Sequence, residues 1–391
     1  MKITEFTSKK AGICVKALDG SYSFLPNPLP PVFDIQSIDS FLCSEAHRLL
    51  GELSGIGRNL SNPYLLINPY RRKEAVASSR IEGTYADIKD LIQYEALMES
   101  SNITDERTAD VREVSNYISA MENGFEELKN TPISTRLIKK IHGILMRDTR
   151  GKDRMPGNFR RTQVFIGPTD HIEDATFIPP NHLELDRLLT DWEVYLNKST
   201  NEPPLVKTAI LHYQFEAIHP FLDGNGRIGR LLIAFYLCGM GFLSEPLLYI
   251  STFFEKNRLE YYDRLLAVSQ KGDWKGWTEF FLKGVVETSK KALVEARDIL
   301  DLHIRYKKKL LENKANNNAL RLLDEIFNRP AATIPMIAKK WNTNYNIVKR
   351  AFDKLIEMGI LHGQGDFRQK PQLFWCGVLF KIMIRKDNFK K

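Results

Sequence analysis

The chain has 391 residues, of which 43% are hydrophobic and 27% charged, with a formal net charge of +8. This length exceeds one small core and suits two or three domains, and the composition is that of a globular protein rather than a disordered or collagenous one. The N-terminal MKITEFTSKKAG lacks a signal-peptide apolar core, and the longest apolar run, LLIAFYLCGMGFL, is too short to span a bilayer. Cys14, Cys43, Cys238 and Cys376 form no CxxC pair and no metal-ligand spacing, so a reducing, cytoplasmic setting without membrane contact is expected. From Arg305 onward there are 19 Lys or Arg against seven Asp or Glu, which leaves the preceding 304 residues at −4. Any nucleic-acid contact therefore belongs to the tail.

In chain order, residues 1 to about 35 read as irregular, ending in the proline cluster PNPLPPVFD. Ile35 to about Glu99 has helical periodicity: SIDSFLCSEAHRLLGEL is one amphipathic segment, and NPYRRKEAVASSRIEGTYADIKDLIQYEALM holds one or two more. Residues 108–148 continue helical, as in RLIKKIHGILM. Glycine and proline then punctuate two β-prone pieces, TQVFIG and ATFIPP, which predict a hairpin-like excursion. Helical pattern resumes at Leu183 and runs to about Leu302, and the charged, asparagine-rich RYKKKLLENKANNN marks a domain boundary.

Between PPLVKTAILHYQFEAI and RLLIAFYL lies HPFLDGNGRIGR, residues 219–230. Pro203 and Pro204 sit where a helix start tolerates proline. The apolar downstream run predicts a core helix, so the twelve residues form a tight loop at its N-terminus. Unpaired amides and the positive end of the helix dipole make that place an anion site. Gly224 and Gly226 allow close backbone approach, Asn225 caps or orients the loop, and Arg227 and Arg230 supply forks for phosphate oxygens. Asp223 would repel phosphate unless Mg²⁺ intervened. His219, with a free pKa near neutrality, is the candidate base. Together they describe attack by a hydroxyl on a nucleotide phosphate. A rival reading has zinc held by His212, Glu216 and His219 on one helical face; the absence of HExxH and the Pro-Phe that ends the helix count against it.

The string matches every fixed position of His-x-Phe-x-Asp/Glu-Gly-Asn-Gly-Arg-x-x-Arg, and in this it resembles the Fic family. The resemblance implies a protein adenylyltransferase, moving AMP from ATP to a Ser, Thr or Tyr hydroxyl with release of pyrophosphate. It gives His219 the role of base and Asp223 that of Mg²⁺ ligand. An ATP site of Glu82, His219, Gly224, Asn225, Gly226, Arg227, Ile228, Gly229, Arg230 and Tyr262 follows. Ser78-x-x-x-Glu82-Gly83 is similar to the family's inhibitory helix, whose glutamate pairs with the second motif arginine, here Arg230. By itself that string is also a helix surface followed by a glycine cap. Thr162, Gln163, Val164, Phe165, Ile166 and Gly167 correspond to the family's flap, an edge for a target strand; a plain covering hairpin is the alternative. RLEYYDRLLAVSQKGDW resembles the adenine-pocket segment, with Tyr262, and Tyr261 unless it packs in the core. Where some relatives place an asparagine, this chain has Ser269.

In the tail, TIPMIAKKWNTNYNIVKRAFDKLIEMGILHGQG predicts a short helix, a turn and a longer helix with a buried stripe of Ile347, Val348, Ala351, Phe352, Leu355 and Ile356, capped by Gly359. ILHGQGDFRQKPQLFW adds two β-prone ends around a polar turn. This looks like a winged helix-turn-helix domain, in which Asn344, Asn346, Lys349 and Arg350 face DNA, or else a surface for protein contact or dimer building. The expected fold is mainly α: a Fic-type bundle with a β-hairpin flap plus a winged helix. Its expected divisions are 1–110 with the inhibitory helix, 111–303 the catalytic core, and 315–391 the tail domain. The expected partners are ATP, Mg²⁺ and a protein target; the chain itself as target, DNA through the tail and a second copy in a homodimer are further candidates. An ATP-sensing DNA-binding regulator and an enzyme removing AMP with Glu82 orienting water stay open as alternatives.

Overall fold

A computed structural model describes residues 1–16, 20–60, 62–98, 108–149, 153–169, 171–364 and 372–385. The element order is β1 (Gly12–Lys16), β2 (Tyr22–Pro26), α1 (Ser40–Asn59), α2 (Tyr64–Ile81), α3 (Ile88–Met98), α4 (Thr108–Leu128) and α5 (Thr135–Leu145). Then come α6 (Leu185–Asn197), α7 (Pro204–Ile218), α8 (Asn225–Gly239), α9 (Ser251–Lys256), α10 (Arg258–Lys271) and α11 (Trp274–Glu312). The tail adds α12 (Asn317–Asn328), β3 (Ala331–Thr333), α13 (Ile334–Trp341), α14 (Tyr345–Glu357), β4 (His362–Gln364), β5 (Leu373–Trp375) and α15 (Gly377–Met383).

The molecule is mainly helical, and its centre is α7. That helix is buried on nearly every face rather than on one stripe, as its almost unbroken apolar sequence requires. Pro204 occupies its first turn, where a missing amide costs nothing. Helices α8, α6 and α11 pack around α7, α4 packs against α5 and α8, and α2 lies against α4 and α9. α2 ends in a Schellman turn: Gly83 N–H donates to the Arg80 carbonyl and Thr84 N–H to that of Ser79, with Gly83 at φ +91. The glycine cap is therefore real, and it sets Glu82 at the very end of the helix.

Three expectations need correction. The first 35 residues are not all irregular: β1 and β2 pair antiparallel in register from Gly12↔Pro26 to Lys16↔Tyr22, and the pairing ends at the first proline of the cluster. α11 does not stop near Leu302 but runs on through the charged segment to Glu312, since Lys and Glu are good helix formers. The excursion at 162–178 holds one antiparallel bridge, Ile166↔Phe177, and no strand among the described residues, because Gly167 and Pro168 end the pairing after one residue.

In the tail, β3, β5 and β4 form a three-stranded antiparallel sheet in that order beside α12, α13 and α14. Val348, Ala351, Phe352 and Leu355 are buried, whereas Ile347 and Ile356 at the stripe's margins are exposed, so the stripe is narrower than expected. Gly359, at φ +68, closes α14 in a second Schellman turn. The polar turn at 365–371 lies outside the described residues. α12 packs on α2, and α15 returns to α11, where Arg385 pairs with Asp298 at 2.9 Å.

Candidate active site

α7 ends at Ile218, and His219 caps it in the left-handed conformation at φ +50, which non-glycine residues rarely adopt. Buried Arg160 holds it there: its Nε donates to the His219 carbonyl at 2.9 Å, Nη2 to the Pro180 carbonyl at 2.6 Å and Nη1 to the Thr162 carbonyl at 3.1 Å. One guanidinium thus ties the motif histidine to both limbs of the 162–180 excursion. Burial lowers the Arg160 pKa to about 10, so it stays charged near neutrality. His219 Nδ1 lies 3.3 Å from the Glu216 carbonyl. With Nδ1 donating there, the Nε2 lone pair is left as the acceptor. Burial lowers the His219 pKa to about 4, which keeps the ring neutral.

The loop after His219 is braced from within and from outside. Asn225 Oδ1 accepts from Phe221 N–H and its Nδ2 donates to the Phe221 carbonyl, both at 2.8 Å. His142, on α5, reaches the loop from the other side: Nδ1 accepts from Gly157 N–H at 2.9 Å and Nε2 donates to the Asp223 carbonyl at 3.0 Å. Its ring stacks on Phe221 at 3.7 Å and 5°. Burial lowers the His142 pKa to about 4, which preserves this one-donor, one-acceptor tautomer. Gly224 stands at φ +81 before α8, and a Cβ there would lie 3.0 Å from the Met146 sulfur.

The first-turn amides of α8 have no carbonyl behind them in the helix. Arg227 lies beside them, buried, with Nη2 3.3 Å from Asp223 Oδ1 and Nη1 3.7 Å from Glu113. Its Nε and Nη1 are buried without a hydrogen-bond partner among the described residues. Arg230, one helical turn on, is buried and engaged through Nε and Nη2. Its Nε donates to Ser78 Oγ and its Nη2 to the Ser78 carbonyl, both at 2.9 Å, and Nη2 pairs with Glu82 Oε1 at 2.6 Å. Burial alone would raise the Glu82 pKa, but the Arg230 charge outweighs it and holds the carboxyl below its usual range. Gly226 makes room for this pair: a Cβ there would lie 2.3 Å from Glu82 Oε1 and 2.9 Å from Arg230 Nη1.

Other sequence candidates fall around this centre. Tyr262 is partly exposed and donates its hydroxyl to the Ile81 carbonyl at 3.3 Å, next to Glu82. Tyr261 is buried, 2.8 Å from His212 Nε2, and Ser269 is buried against the Tyr213 hydroxyl, also at 2.8 Å, so neither faces an open pocket. Ile228 and Gly229 turn away from the loop. The Ile228 amide is spent on the Gly224 carbonyl and its side chain lies in the core, while a Cβ at Gly229 would strike Glu216 and Phe215 of α7. Gly229 is the close-packing point of α7 and α8. The zinc set does not form either, since His212 spends Nδ1 on the Gly229 carbonyl and Nε2 on Tyr261. The residues that sequence reasoning missed, Arg160 and His142, contact backbone groups 59 and 81 positions away. No local spacing signals such contacts.

Two family models match, the Fic/DOC family N-terminal model over residues 41–126 and the Fic/DOC family model over residues 132–237. The chain belongs to the Fic/DOC family. Curated relatives include proteins called Protein adenylyltransferase Fic from Culex quinquefasciatus, 36% identical, and Drosophila grimshawi, 34% identical, each over 126 residues, 32% of this chain. The matched segment spans only 22% and 23% of those relatives' own lengths. Among solved structures, a Fic family protein from Desulfovibrio desulfuricans shares the fold with TM-score 0.57 at 19% identity, over 90% of this chain and 98% of that one. Fic-1 from C. elegans does so with TM-score 0.51 at 21% identity, over 68% and 74%. No described helix of this Fic/DOC protein is long and apolar enough to cross a membrane.

Proposed function

We propose that this is a protein adenylyltransferase that transfers AMP from ATP to a Ser, Thr or Tyr hydroxyl of a protein, held in check by Glu82. The observation that carries the reading is the convergence of a neutral His219, the first-turn amides of α8 and Arg230, with a carboxylate on that arginine. His219 Nε2 accepts the proton of the acceptor hydroxyl as its oxygen attacks the α-phosphorus. The bond from that phosphorus to the bridging oxygen breaks, and pyrophosphate leaves. The α8 amides and the unmet Nε and Nη1 of Arg227 receive phosphate oxygens. Arg230 joins them once Glu82 withdraws; until then ATP lacks that contact and sits poorly for in-line attack.

Asp223 fits a Mg²⁺ ligand. It is a half-exposed hard carboxylate beside the amides, and its contacts to Gly224 N–H and Arg227 both fall on Oδ1. When bound, the ion would neutralise phosphate charge. The 162–167 edge, fastened to His219 through Arg160, would present the target's hydroxyl through backbone pairing. Incubation with labelled ATP, Mg²⁺ and cell extract tests the reading. AMP should appear on protein with wild type and vanish with His219→Ala.

A second reading makes the nucleotide site a sensor for a DNA-binding regulator. It draws on the tail, whose element order and sheet suit a winged helix, with Asn344 exposed at the N-cap of α14 and Asn346, Lys349 and Arg350 exposed on the helix. Against it, Lys349 is already paired with Asp353 at 2.8 Å. ATP bound but unconsumed, together with salt-sensitive DNA binding, would favour it.

A further inference from the structure

A cavity of about 280 Å³ opens between α2, α3, α4 and the segment after α12, and none of its lining belongs to the His219 loop. We infer that it binds a small organic monophosphate and thereby fastens the helix carrying Glu82 to the C-terminal unit.

Three guanidinium groups face it, those of Arg71, Arg72 and Arg329, against two carboxylates, those of Glu95 and Glu122. Among the described lining residues the balance is one positive charge in excess, which favours an anion. The two carboxylates are not equivalent. Glu95 is largely buried and takes both Arg72, at 2.8 Å, and Arg329, at 3.2 Å. Arg72 is further fixed through Nη1 to the Asn328 carbonyl at 2.8 Å. Glu122 is half exposed and meets Arg71 through one contact at 2.9 Å. So well-hydrated a partner holds weakly and is readily exchanged.

Arg71 also has a donor to offer. Its Nε is buried and makes no hydrogen bond among the described residues, and burial lowers the Arg71 pKa against the opposing charge of Glu122. A buried unmet donor is costly, and a phosphate on Arg71 would satisfy Nε and a terminal nitrogen at once. Ser115, Ser119 and Asn68 supply hydrogen-bonding groups for hydroxyls on the rest of the ligand, and Tyr94 supplies a ring wall. The volume lies near the lower limit for small-molecule pockets, which suits a sugar-sized monophosphate better than a nucleoside triphosphate.

Arg71 and Arg72 belong to α2, whose C-terminal end carries Ser78 and Glu82, and Arg329 follows α12. A ligand bridging them holds α2 in the position that sets Glu82 on Arg230. This consequence rests on the adenylyl-transfer reading; the binding itself does not.

The test is calorimetric titration of the full chain with ribose 5-phosphate, which has no base to recruit the nucleotide site. Saturable binding in the range of about 1 mM or tighter is expected, weakened roughly tenfold or more by Arg71→Ala and by Arg329→Ala and unaffected by Arg227→Ala. Circular dichroism checks that the variants fold, and Arg71→Lys, which keeps the charge without the fork, should fall between. No binding, equal binding by Arg71→Ala, or loss confined to Arg227→Ala would overturn the site. Saturating ligand should slow AMP transfer by wild type and leave Glu82→Gly unaffected; binding without such slowing would overturn the fastening of α2. Absence of transfer by both forms, with binding intact, would count against the adenylyl-transfer reading instead.

Discussion

Glu82 and Arg230 lie 148 positions apart in sequence and meet at 2.6 Å, the arginine side chain 1% exposed and the carboxylate 35%. The asymmetry matters. Arg230 is committed to a buried charge and needs an anion, whereas Glu82 sits at a helix end with a route to solvent. Replacing carboxylate by phosphate keeps Arg230 paired, so releasing the brake does not strand a buried charge.

Glu82→Gly should therefore raise the rate of AMP transfer by about tenfold or more, the factor that about 1.4 kcal/mol of competition at Arg230 represents. Steady-state incorporation of labelled AMP, with wild type and variant side by side, measures it. Equal rates would remove Glu82 from the role of inhibitor.

The loop and the start of α8 were legible because glycines, a histidine and paired arginines between apolar runs leave few structural uses for themselves. The Schellman end of α2 was legible for the same kind of reason, a glycine where a left-handed residue is needed. The Glu82–Arg230 pair was not readable from spacing and entered only through family resemblance. Arg160 and His142 act on main-chain carbonyls brought close by the fold, and a lone arginine in a loop or a lone histidine on an apolar helix face gives no hint of that. β1 and β2 were hidden by the prolines that follow them. The charged stretch after Leu302 read as a domain boundary because its polarity was weighed above its helix propensity.

Gly226→Ala should lower kcat/KM by about tenfold or more even in the Glu82→Gly background, where the brake is already gone. A methyl group that would strike the Glu82 carboxylate, at 2.3 Å, would strike a phosphate in the same place. Comparing single and double variants separates this from relief of inhibition. A double variant as active as Glu82→Gly would show that no phosphate approaches Gly226.

Arg160→Ala should lower stability by about 2 kcal/mol or more, since it leaves the His219, Thr162 and Pro180 carbonyls without their charged donor. Arg160 is a positioning residue, so kcat should fall more than ATP affinity does, and Arg160→Lys should recover part of the stability. Thermal unfolding together with a kcat and KM comparison checks both. Unchanged kcat in a folded variant would reduce Arg160 to packing.

His219 is held near pKa 4, well below a free histidine, and the chemistry uses its neutral form. The acid limb of kcat/KM should therefore fall toward pH 4 and not near 6.5. Stability follows the same sign. The unfolded chain protonates its histidines near 6.5, whereas folded His219 and His142 titrate at about 4 and His212 at about 3. Protons are thus taken up preferentially by the unfolded state between those values, and stability should drop as pH falls from about 6.5 to 4. A rate profile with its acid limb at 6.5 would mean that the imidazole is solvated during turnover.

Glu216 behaves in the opposite direction. Burial raises its pKa to about 8, with Arg230 opposing and Glu82 adding to the shift, and its Oε1 has no hydrogen-bond partner among the described residues. A carboxyl whose folded pKa is raised contributes stability that is fully present below its unfolded pKa and is lost as pH rises through the folded one, here from about 4.5 to 8. Glu216→Gln keeps the shape and removes the titration. The variant should thus lose less stability than wild type between pH 5 and pH 8, by on the order of 3 kcal/mol. Denaturant titrations of both proteins at the two pH values make the comparison, and parallel losses would mean that Glu216 is already ionised beside Arg230 at pH 5.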